Sequence, residues 1–236
     1  MLPSRIWALV PAAGVGRRMG GEVPKQYLPL LDKTVIEHTL AKLAEVPEIE
    51  GIVVAISEED GWWPTLDLAI SKPIRTVVGG RERVHSVFNA VQAVMPELGD
   101  DDWLLVHDAA RPCVRPADIN HLIRKTRHHT CGGILAIPAY DTMKQASERQ
   151  EIIKTVDRSQ LWRALTPQIF RARSLYDALL AGQGYTEQIT DEASALELVG
   201  DHPMLVEGRG DNLKITRPED LAIAEFYLQQ ECKDGY

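Results

Sequence analysis

Short continuous apolar runs recur along the chain and predict strands that are buried on both faces. Runs of this kind, without polar alternation, are typical of a parallel sheet that is covered by helices. The clearest runs occupy residues 6–10, 52–56, 73–78, 103–107 and 133–138. Two shorter runs predict further strands at residues 204–206 and 213–215.

Apolar residues at helical spacing lie between these runs. The clearest helix is predicted from Val84 to Met95, where Pro96 ends it. Other predicted helices begin at the capping boxes Thr34–Glu37 and Thr216–Glu219, at Pro116, and at a Thr190–Asp191 cap before Leu198, and the last one ends at Gln230. Strands and helices that alternate in this way predict an α/β fold with a Rossmann-like, mainly parallel sheet.

The segment 139–161 interrupts this alternation. It is polar, and it carries neither a buried run nor a helical pattern before the fold resumes. We therefore predict an extended β-arm here. Since no repeat, low-complexity tract or linker divides the sequence, residues 1–236 are predicted to form one domain with this arm.

Charge and composition then exclude several classes of function. The 236 residues carry a formal net charge of −8, whereas a general nucleic-acid binder needs a basic surface. No apolar run reaches the roughly 18 residues of a membrane span. The 3 cysteines form no CxxC pair, which favours a reducing compartment. We expect a cytoplasmic protein that binds neither nucleic acid nor a membrane.

The turn after the first predicted strand combines small residues with cations. It contains Ala12, Ala13, Gly14, Gly16, Arg17, Arg18 and, shortly after, Lys25. Glycines let backbone N–H groups approach an anion, and the cations suit the spread charge of a phosphoryl-transfer transition state. An ordinary strand-to-helix turn is the alternative, but the following Pro24-Lys25-Gln26 favours a phosphate site. The turn lacks the Walker A ending and a full GxGxxG, which argues against ATPases and dinucleotide oxidoreductases.

Two aspartates are candidate ligands for a divalent cation. Asp108 ends a predicted strand beside the basic turn, where a carboxylate can hold Mg²⁺, an ion that needs few protein ligands. An aspartate in this place can also initiate a turn, but the neighbouring phosphate loop favours the metal. Asp211 can complete the same site or form an Asx turn, and we include it in the predicted site.

Polar residues of the second half are candidates for a second substrate site. In the predicted strand 213–215, alternation places Lys214 on the face opposite its neighbours, where it can point into a cleft. Thr166, Thr190 and Asp191 lie beside predicted turns, although helix capping explains Thr190 equally well. Arg158 and Lys214 can also be ordinary surface cations.

These motifs resemble those of the 2-C-methyl-D-erythritol 4-phosphate cytidylyltransferases of the non-mevalonate isoprenoid pathway. The similar segments are residues 11–19, 24–27, 79–87, 106–112, 141–144, 155–158, 165–168, 190–195, 206–208 and 212–220. They extend over nearly the whole chain, so the resemblance is far more specific than any single glycine-rich turn.

The resemblance implies a nucleotide-diphospho-sugar transferase fold and the transfer of CMP from CTP to a polyol phosphate, with release of pyrophosphate. It implies that Arg18 and Lys25 stabilise the transition state and that Asp108 binds Mg²⁺. The cytidine site would include Ala12, Ala13, Gly14, Gly80, Ser86 and Ala109. Arg158 and Lys214 would position the acceptor, together with Arg111, Thr142, Thr166, Thr190 and Asp191.

The resemblance also implies a homodimer. Residues 139–161 would hook onto a second subunit, so that Arg158 serves the active site of the partner.

Two other functions stay open at this point. The related ribitol 5-phosphate cytidylyltransferases share the Pro-Lys-Gln and Asp-Ala-Ala-Arg elements, but they carry Ala-Gly-Gly where this chain has Ala12-Ala13-Gly14. An inactive nucleotide-binding module is the other alternative. It has no need of a complete set of Arg18, Lys25, Asp108 and Lys214, so the sequence favours an enzyme.

Overall fold

The computed structural model describes residues 4–14 and 23–233, and its centre is a seven-stranded sheet. The strands along the chain are β1 (Ile6–Pro11), β2 (Pro29–Leu30), β3 (Lys33–Thr34), β4 (Ile49–Ile56), β5 (Ile74–Val78), β6 (Trp103–Val106), β7 (Gly132–Pro138), β8 (Met143–Ala146), β9 (Ile152–Val156), β10 (Trp162–Arg171) and β11 (Met204–Glu207). The helices are α1 (Val35–Ala44), α2 (Arg83–Val94), α3 (Pro116–Thr126), α4 (Ala172–Ala181), α5 (Glu192–Leu198) and α6 (Glu219–Lys233). Among the described residues, no helix is both long enough and apolar enough to cross a membrane.

The central sheet has the strand order β11-β7-β10-β6-β1-β4-β5. β1 pairs in parallel with β4 and β6, β4 with β5, and β7 with β11. β10 alone among these seven strands runs antiparallel to its neighbours, β6 and β7. The predicted mainly parallel sheet is therefore confirmed.

The side chains of β1 explain why helices cover both faces of the sheet. Ile6, Ala8 and Val10 belong to one apolar cluster with side chains of α1 and α3. Trp7 and Leu9 belong to a second cluster with side chains of α2, α4 and α5. Successive strand side chains point to opposite faces, so a continuous apolar run is needed to fill both layers.

Two helix caps fix the start of α1 and of α5. At α1 the predicted capping box is confirmed, since Thr34 N donates to Glu37 Oε2 at 2.7 Å and Thr34 Oγ1 accepts from Glu37 N. At α5 the cap residue is Asp191, whose Oδ1 accepts from Ser194 N at 3.0 Å. Thr190 precedes the cap, so capping does not use its hydroxyl.

Two local predictions near the C-terminal helix are wrong. Residues 213–215 form an irregular loop and not a strand; this loop is anchored by Ile215 N, which donates to Ala110 O at 2.8 Å. The proposed capping box at residues 216–219 is replaced by Asp220 Oδ2, which accepts from the N–H groups of Thr216 and Arg217 at 2.8 Å. Both errors have one cause: short apolar or capping patterns do not reveal which distant backbone groups are within reach.

The strand β10 and the helix α4 were not predicted. Pro167 lies inside β10, and proline is rare within a paired strand because it cannot donate to the ladder. The register with β7 shifts between Ala164 and Gln168, which accommodates this interruption.

Residues 139–161 contain a hairpin that is separate from the central sheet. β8 and β9 pair antiparallel, with Met143 opposite Val156, and they form a two-stranded sheet of their own. Met143, Ile152 and Ile153 are 42%, 67% and 59% exposed. An extended β-segment was predicted here, but its role as a dimerisation arm stays a prediction.

Candidate active site

A cavity of about 160 Å³ opens where β1, β5 and β6 end. Ligands of open α/β sheets bind at this edge, beyond the carboxyl ends of the strands. The cavity brings together many of the residues that the sequence singled out: Ala12, Ala13, Gly14, Lys25, Gly80, Ser86, Asp108, Ala109 and Lys214. We call it the nucleotide pocket, after the ligand that the sequence predicts for these residues.

The segment after β1 forms one wall of this pocket. Ala12 N donates to Ala55 O at 2.7 Å, and Gln26 Nε2 donates to Ala12 O at 2.5 Å, so the backbone is held from both sides. A Cβ added to Gly14 would have no atom of the described residues within 4 Å. Gly14 therefore exposes bare backbone to the open part of the pocket, as a close approach of ligand requires.

The segment after β5 forms the opposite wall. Gly80 N donates to Ser86 Oγ at 3.1 Å, and Ser86 is buried. A Cβ on Gly79 would lie 2.4 Å from Ala13 Cβ, which is too close for any side chain. Glycine at this position lets the two walls approach each other.

A second cavity, of about 230 Å³, lies beside the first. Its predicted site residues are Asp108, Arg111, Thr166, Thr190, Asp191 and Lys214. Arg83, Asp108 and Lys214 line both cavities, so they form a common wall. We call the second cavity the acceptor pocket, after the substrate predicted for these residues.

Asp108 lies in the common wall and is surrounded by cations. Its Oδ1 accepts from Arg83 Nε at 2.9 Å, while Oδ2 lies 2.9 Å from Lys214 Nζ and 3.4 Å from Arg111 Nε. Burial alone would raise the pKa of Asp108, but the charges of Arg83, Lys214 and Arg111 outweigh burial and hold this pKa far below its usual value. The carboxylate is therefore ionised at any physiological pH.

The loop that carries Lys214 is fixed by its neighbour Ile215. Ile215 is fully buried in an apolar cluster with Ala224 and Leu228 of α6. Its carbonyl accepts from Lys25 Nζ at 2.8 Å. Lys214 thus reaches Asp108 from an irregular loop, although the sequence assigned it to a strand.

A buried hydrogen-bond chain supports Asp108 from behind. Asp108 N donates to Thr166 Oγ1 at 3.1 Å, Thr166 Oγ1 lies 3.0 Å from His107 Nδ1, and His107 Nε2 lies 3.1 Å from Arg111 O. A carbonyl only accepts, so Nε2 carries the ring proton, and the Thr166 hydroxyl must donate to Nδ1. Its O–H is therefore already used, and Thr166 can only accept from a ligand.

The rim of the acceptor pocket is held by Gln168. Its Nε2 donates to Asp191 Oδ2 at 2.8 Å, and its Oε1 accepts from Ala193 N at 3.1 Å. Gln168 is 1% exposed. The N-terminus of α5 is therefore tied to β10, which fixes the position of Thr190 and Asp191 at the pocket.

The remaining predicted residues lie away from both pockets or outside the described residues. Thr142 and Arg158 lie on exposed parts of the segment 139–161 and line neither pocket; Arg158 Nη1 donates to Tyr140 O. Asp211 lines neither pocket, and its Oδ2 pairs with Arg115 at 3.1 Å and Arg209 at 2.8 Å. Gly16, Arg17 and Arg18 lie outside the described residues.

Comparison with known proteins identifies the family of this chain. The family model described as IspD, 2-C-methyl-D-erythritol 4-phosphate cytidylyltransferase, matches residues 6–230. The chain belongs to this family. A 2-C-methyl-D-erythritol 4-phosphate cytidylyltransferase of Vibrio cholerae serotype O1 is 55% identical over 223 residues, which are 94% of this chain and 96% of that protein. Another, of Hahella chejuensis, is 47% identical and covers 96% of this chain and 94% of its own.

Solved structures of cytidylyltransferases have the same fold. The Francisella tularensis 2-C-methyl-D-erythritol 4-phosphate cytidylyltransferase is 38% identical, with a TM-score of 0.82, over 95% of this chain and 100% of that one. A crystal structure of 4-diphosphocytidyl-2C-methyl-D-erythritol synthase, also 38% identical, has a TM-score of 0.83 over 96% and 100% of the two chains. The predicted family and fold class are confirmed.

The pockets of this cytidylyltransferase-family chain are also bordered by an ion pair that the sequence did not single out. Arg83 lines both pockets, and it binds Glu192, which is 1% exposed. Both residues were present in the motifs quoted for the resemblance, at residues 79–87 and 190–195. Spacing alone gave no sign that they would pair, since they lie on different helices.

Proposed function

We propose that this chain transfers CMP from CTP to the phosphate of 2-C-methyl-D-erythritol 4-phosphate, giving 4-diphosphocytidyl-2-C-methyl-D-erythritol and pyrophosphate. The observation that carries this proposal is the pair of pockets that share Arg83, Asp108 and Lys214 as a wall. A transferase that joins two phosphorylated substrates needs two adjoining sites with cations between them.

CTP is assigned to the nucleotide pocket and the polyol phosphate to the acceptor pocket. The first pocket offers exposed backbone at Gly14 and the hydroxyl of Ser86, which suit a base and phosphates held at short range. The second pocket offers Arg111, Thr190 and Asp191, a cation beside groups that can accept from polyol hydroxyls.

The chemistry in this site is direct displacement. An oxygen of the acceptor phosphate forms a bond to the α-phosphorus of CTP, and the bond from this phosphorus to the β-phosphate oxygen breaks. The acceptor oxygen is already an anion, so the step needs no strong general base. Lys25 and Lys214 in the pocket wall, together with Arg18, stabilise the charge that develops on the phosphates.

Asp108 fits a divalent cation such as Mg²⁺, and Asp211 is left out of this site. Asp108 offers a carboxylate at the junction of the pockets, and Lys214 beside it is 38% exposed and can turn away. Among the described residues no group of three or more His, Cys, Asp or Glu side chains is placed to bind a metal, so phosphate oxygens and water would complete the coordination. Bound there, the cation would neutralise phosphate charge.

We propose a homodimer formed through residues 139–161, in which Arg158 and Thr142 contact the acceptor in the partner's site. Their exposure at the hairpin, away from both pockets of their own chain, supports this assignment. The exposed side chains of Met143, Ile152 and Ile153 give the hairpin an apolar surface that a second subunit can cover. A cytoplasmic location stays a prediction from the cysteine content.

Pyrophosphate release tests the reaction. The purified protein is incubated with CTP and Mg²⁺ and with 2-C-methyl-D-erythritol 4-phosphate or ribitol 5-phosphate as acceptor. We expect turnover that depends on the acceptor and is much faster with the methylerythritol phosphate. Faster turnover with ribitol phosphate would reverse the choice of substrate, and no turnover with either would leave an inactive nucleotide-binding module.

A further inference from the structure

Arg83 contacts two carboxylates at once. Its Nε donates to Asp108 Oδ1 at 2.9 Å, and its Nη1 and Nη2 donate to Glu192 Oε1 and Oε2 at 2.5 and 3.1 Å. The contact with Glu192 is a bidentate pair of guanidinium and carboxylate, which fixes the orientation of the two groups as well as their distance. One planar group therefore sets the position of both carboxylates.

Glu192 lines neither pocket. It is 1% exposed, whereas Arg83 and Asp108 both line the two pockets. Burial raises the pKa of Glu192 above its usual value even though the charge of Arg83 acts in the opposite direction, so it is the geometry of the pair that decides its charge. Since both carboxylate oxygens accept from the guanidinium, Glu192 is held as the anion. A buried carboxylate that cannot touch substrate can influence the reaction only through what it holds.

Arg83 and Glu192 connect the segments that form the two pockets. Arg83 is the first residue of α2 and directly follows the wall of the nucleotide pocket at residues 80–82. Glu192 is the first residue of α5 and directly follows Thr190 and Asp191 at the rim of the acceptor pocket. The pair is thus a link between the two walls.

We infer that the Arg83–Glu192 pair is a positioning pair, which holds the Thr190–Asp191 rim at a fixed distance from Asp108 and so aligns the acceptor with the bound nucleotide. This inference rests on the proposed function for the assignment of substrates to pockets. It assigns Glu192 a part in acceptor binding that its lack of substrate contact would not suggest.

The pair acts differently on the two substrates. The nucleotide wall keeps its own bonds, from Gly80 to Ser86 and from Gln26 to Ala12, when Glu192 is changed. The acceptor rim loses its link to Asp108 and keeps its bonds to Gln168 and the packing of α5 on the second apolar cluster. Misplacement of a substrate by about 1 Å is enough to change rates by orders of magnitude.

The variant Glu192→Gln tests this link because it removes one charge and keeps the shape of the side chain. Arg83→Gln and the double variant complete a mutant cycle, and Arg83→Lys keeps the charge but cannot bridge both carboxylates. Glu231→Gln is the control, since Glu231 is likewise buried and paired, with Lys42 Nζ at 2.7 Å, but lines neither pocket. KM for each substrate, kcat and Tm are measured for all variants, and CTP affinity is measured by calorimetry without acceptor.

We expect Glu192→Gln to raise the acceptor KM by about tenfold while CTP affinity changes by less than about twofold. The double variant should have nearly the acceptor KM of Arg83→Gln, because residues that act as one unit are not additive. Glu231→Gln should lower Tm with both KM values unchanged. Arg83→Lys should resemble Glu192→Gln, which keeps the test available if the latter does not fold.

Two results would overturn the inference. One is an unchanged acceptor KM in Glu192→Gln and Arg83→Lys, with only a lower Tm, as in the control; the pair would then be structural. The other is an equal rise in the KM values of both substrates. Absence of turnover in the wild-type protein would instead contradict the proposed function, so the two failures are distinguishable.

Discussion

The Nζ atom of Lys214 lies 2.9 Å from Oδ2 of Asp108, which joins a loop near the C-terminal helix to the end of β6. This contact closes the common wall of the two pockets. It also shows that cations of the chain itself balance the charge of Asp108. The charge of Asp108 therefore matters for stability as well as for activity.

Replacing Asp108 by Asn should reduce turnover by at least about a hundredfold, because the site loses the anionic group that we propose as ligand for a divalent cation. The chain should still fold, with a free energy of unfolding lower by about 2 kcal/mol, since Arg83 and Lys214 are partly exposed and can find water. Steady-state kinetics and urea denaturation measure the two effects.

Asp211→Asn is the matched control for Asp108. Asp211 is also paired with arginines, but it lines neither pocket. We expect nearly wild-type kcat and KM for this variant. A loss of activity as large as that of Asp108→Asn would return Asp211 to the metal site and would contradict our exclusion of it.

Gly14→Ala should weaken CTP binding without weakening the fold. The added methyl group would meet no atom of residues 4–14 and 23–233 within 4 Å, so it costs little against this part of the chain, but it would occupy space in the nucleotide pocket. We expect KM for CTP to rise by about tenfold or more with Tm nearly unchanged. Kinetics and thermal unfolding of the same preparation check this.

Two further glycine variants frame the Gly14 result. Gly79→Ala places its methyl group 2.4 Å from Ala13 Cβ and should lower Tm. Gly61→Ala meets no atom of the described part of the chain within 4 Å and lines neither pocket, so it should change nothing. Unaltered CTP binding in Gly14→Ala would mean that the nucleotide does not approach the backbone there.

The sequence predicted those strands whose own apolar run shows that both of their faces are covered. β1 and β6 are continuous apolar runs because both faces of each strand are covered, and strand ends then locate Asp108 and Lys25 near one edge. It failed at β10, where Pro167 interrupts the run. The register shift between β10 and β7 that accommodates Pro167 depends on the neighbouring strand, so the sequence of β10 does not reveal it.

The residues that line the pockets were likewise predicted only in part, because they come from segments that are distant in the sequence. Lys214 lines both pockets, in keeping with its predicted position beside a cleft, but its strand was wrong, since the loop is fixed by burial of Ile215 and a bond to Ala110. Arg83 and Glu192 were missed because their pairing depends on how two helices are placed. Contacts between distant segments appear only when the fold is known.

His107 should stay neutral down to unusually low pH. Burial lowers its pKa from about 6.5 to about 4. The ring therefore binds a proton more readily in the unfolded chain than in the folded one. The contribution of His107 to the free energy of unfolding is fully present above about pH 6.5 and is lost as the pH falls toward 4. The loss amounts to about 3 kcal/mol.

Nitrogen chemical shifts of the His107 ring provide the direct measurement. They should show a neutral ring with the proton on Nε2 throughout pH 5 to 8, as the bond to Arg111 O requires. Urea denaturation of the metal-free protein and of His107→Asn between pH 4 and 7 gives the energetic part, since the variant should lose less stability. A ring that titrates near 6.5 would show that it is not buried in this way.

Mixed dimers would test whether Arg158 serves the partner's site. Arg158→Ala and Asp108→Asn should each be nearly inactive as homodimers. In a mixed dimer, the chain with Arg158→Ala keeps its own Asp108 and receives Arg158 from its partner, so one of the two sites is complete. Random exchange of equal amounts makes about half of the dimers mixed, and about a quarter of wild-type activity should return.

The same mixture also tests the opposite arrangement, in which Arg158 acts within its own chain. If Arg158 acts in the site of its own chain, each mixed dimer contains two damaged sites, and activity stays at the level of the parents. A mixture of Lys214→Ala with Asp108→Asn is the control, because both residues lie in the same wall of one chain and cannot complement each other. Recovery in the first mixture and not in the second would therefore locate Arg158, and not merely the dimer, at the acceptor pocket of the partner.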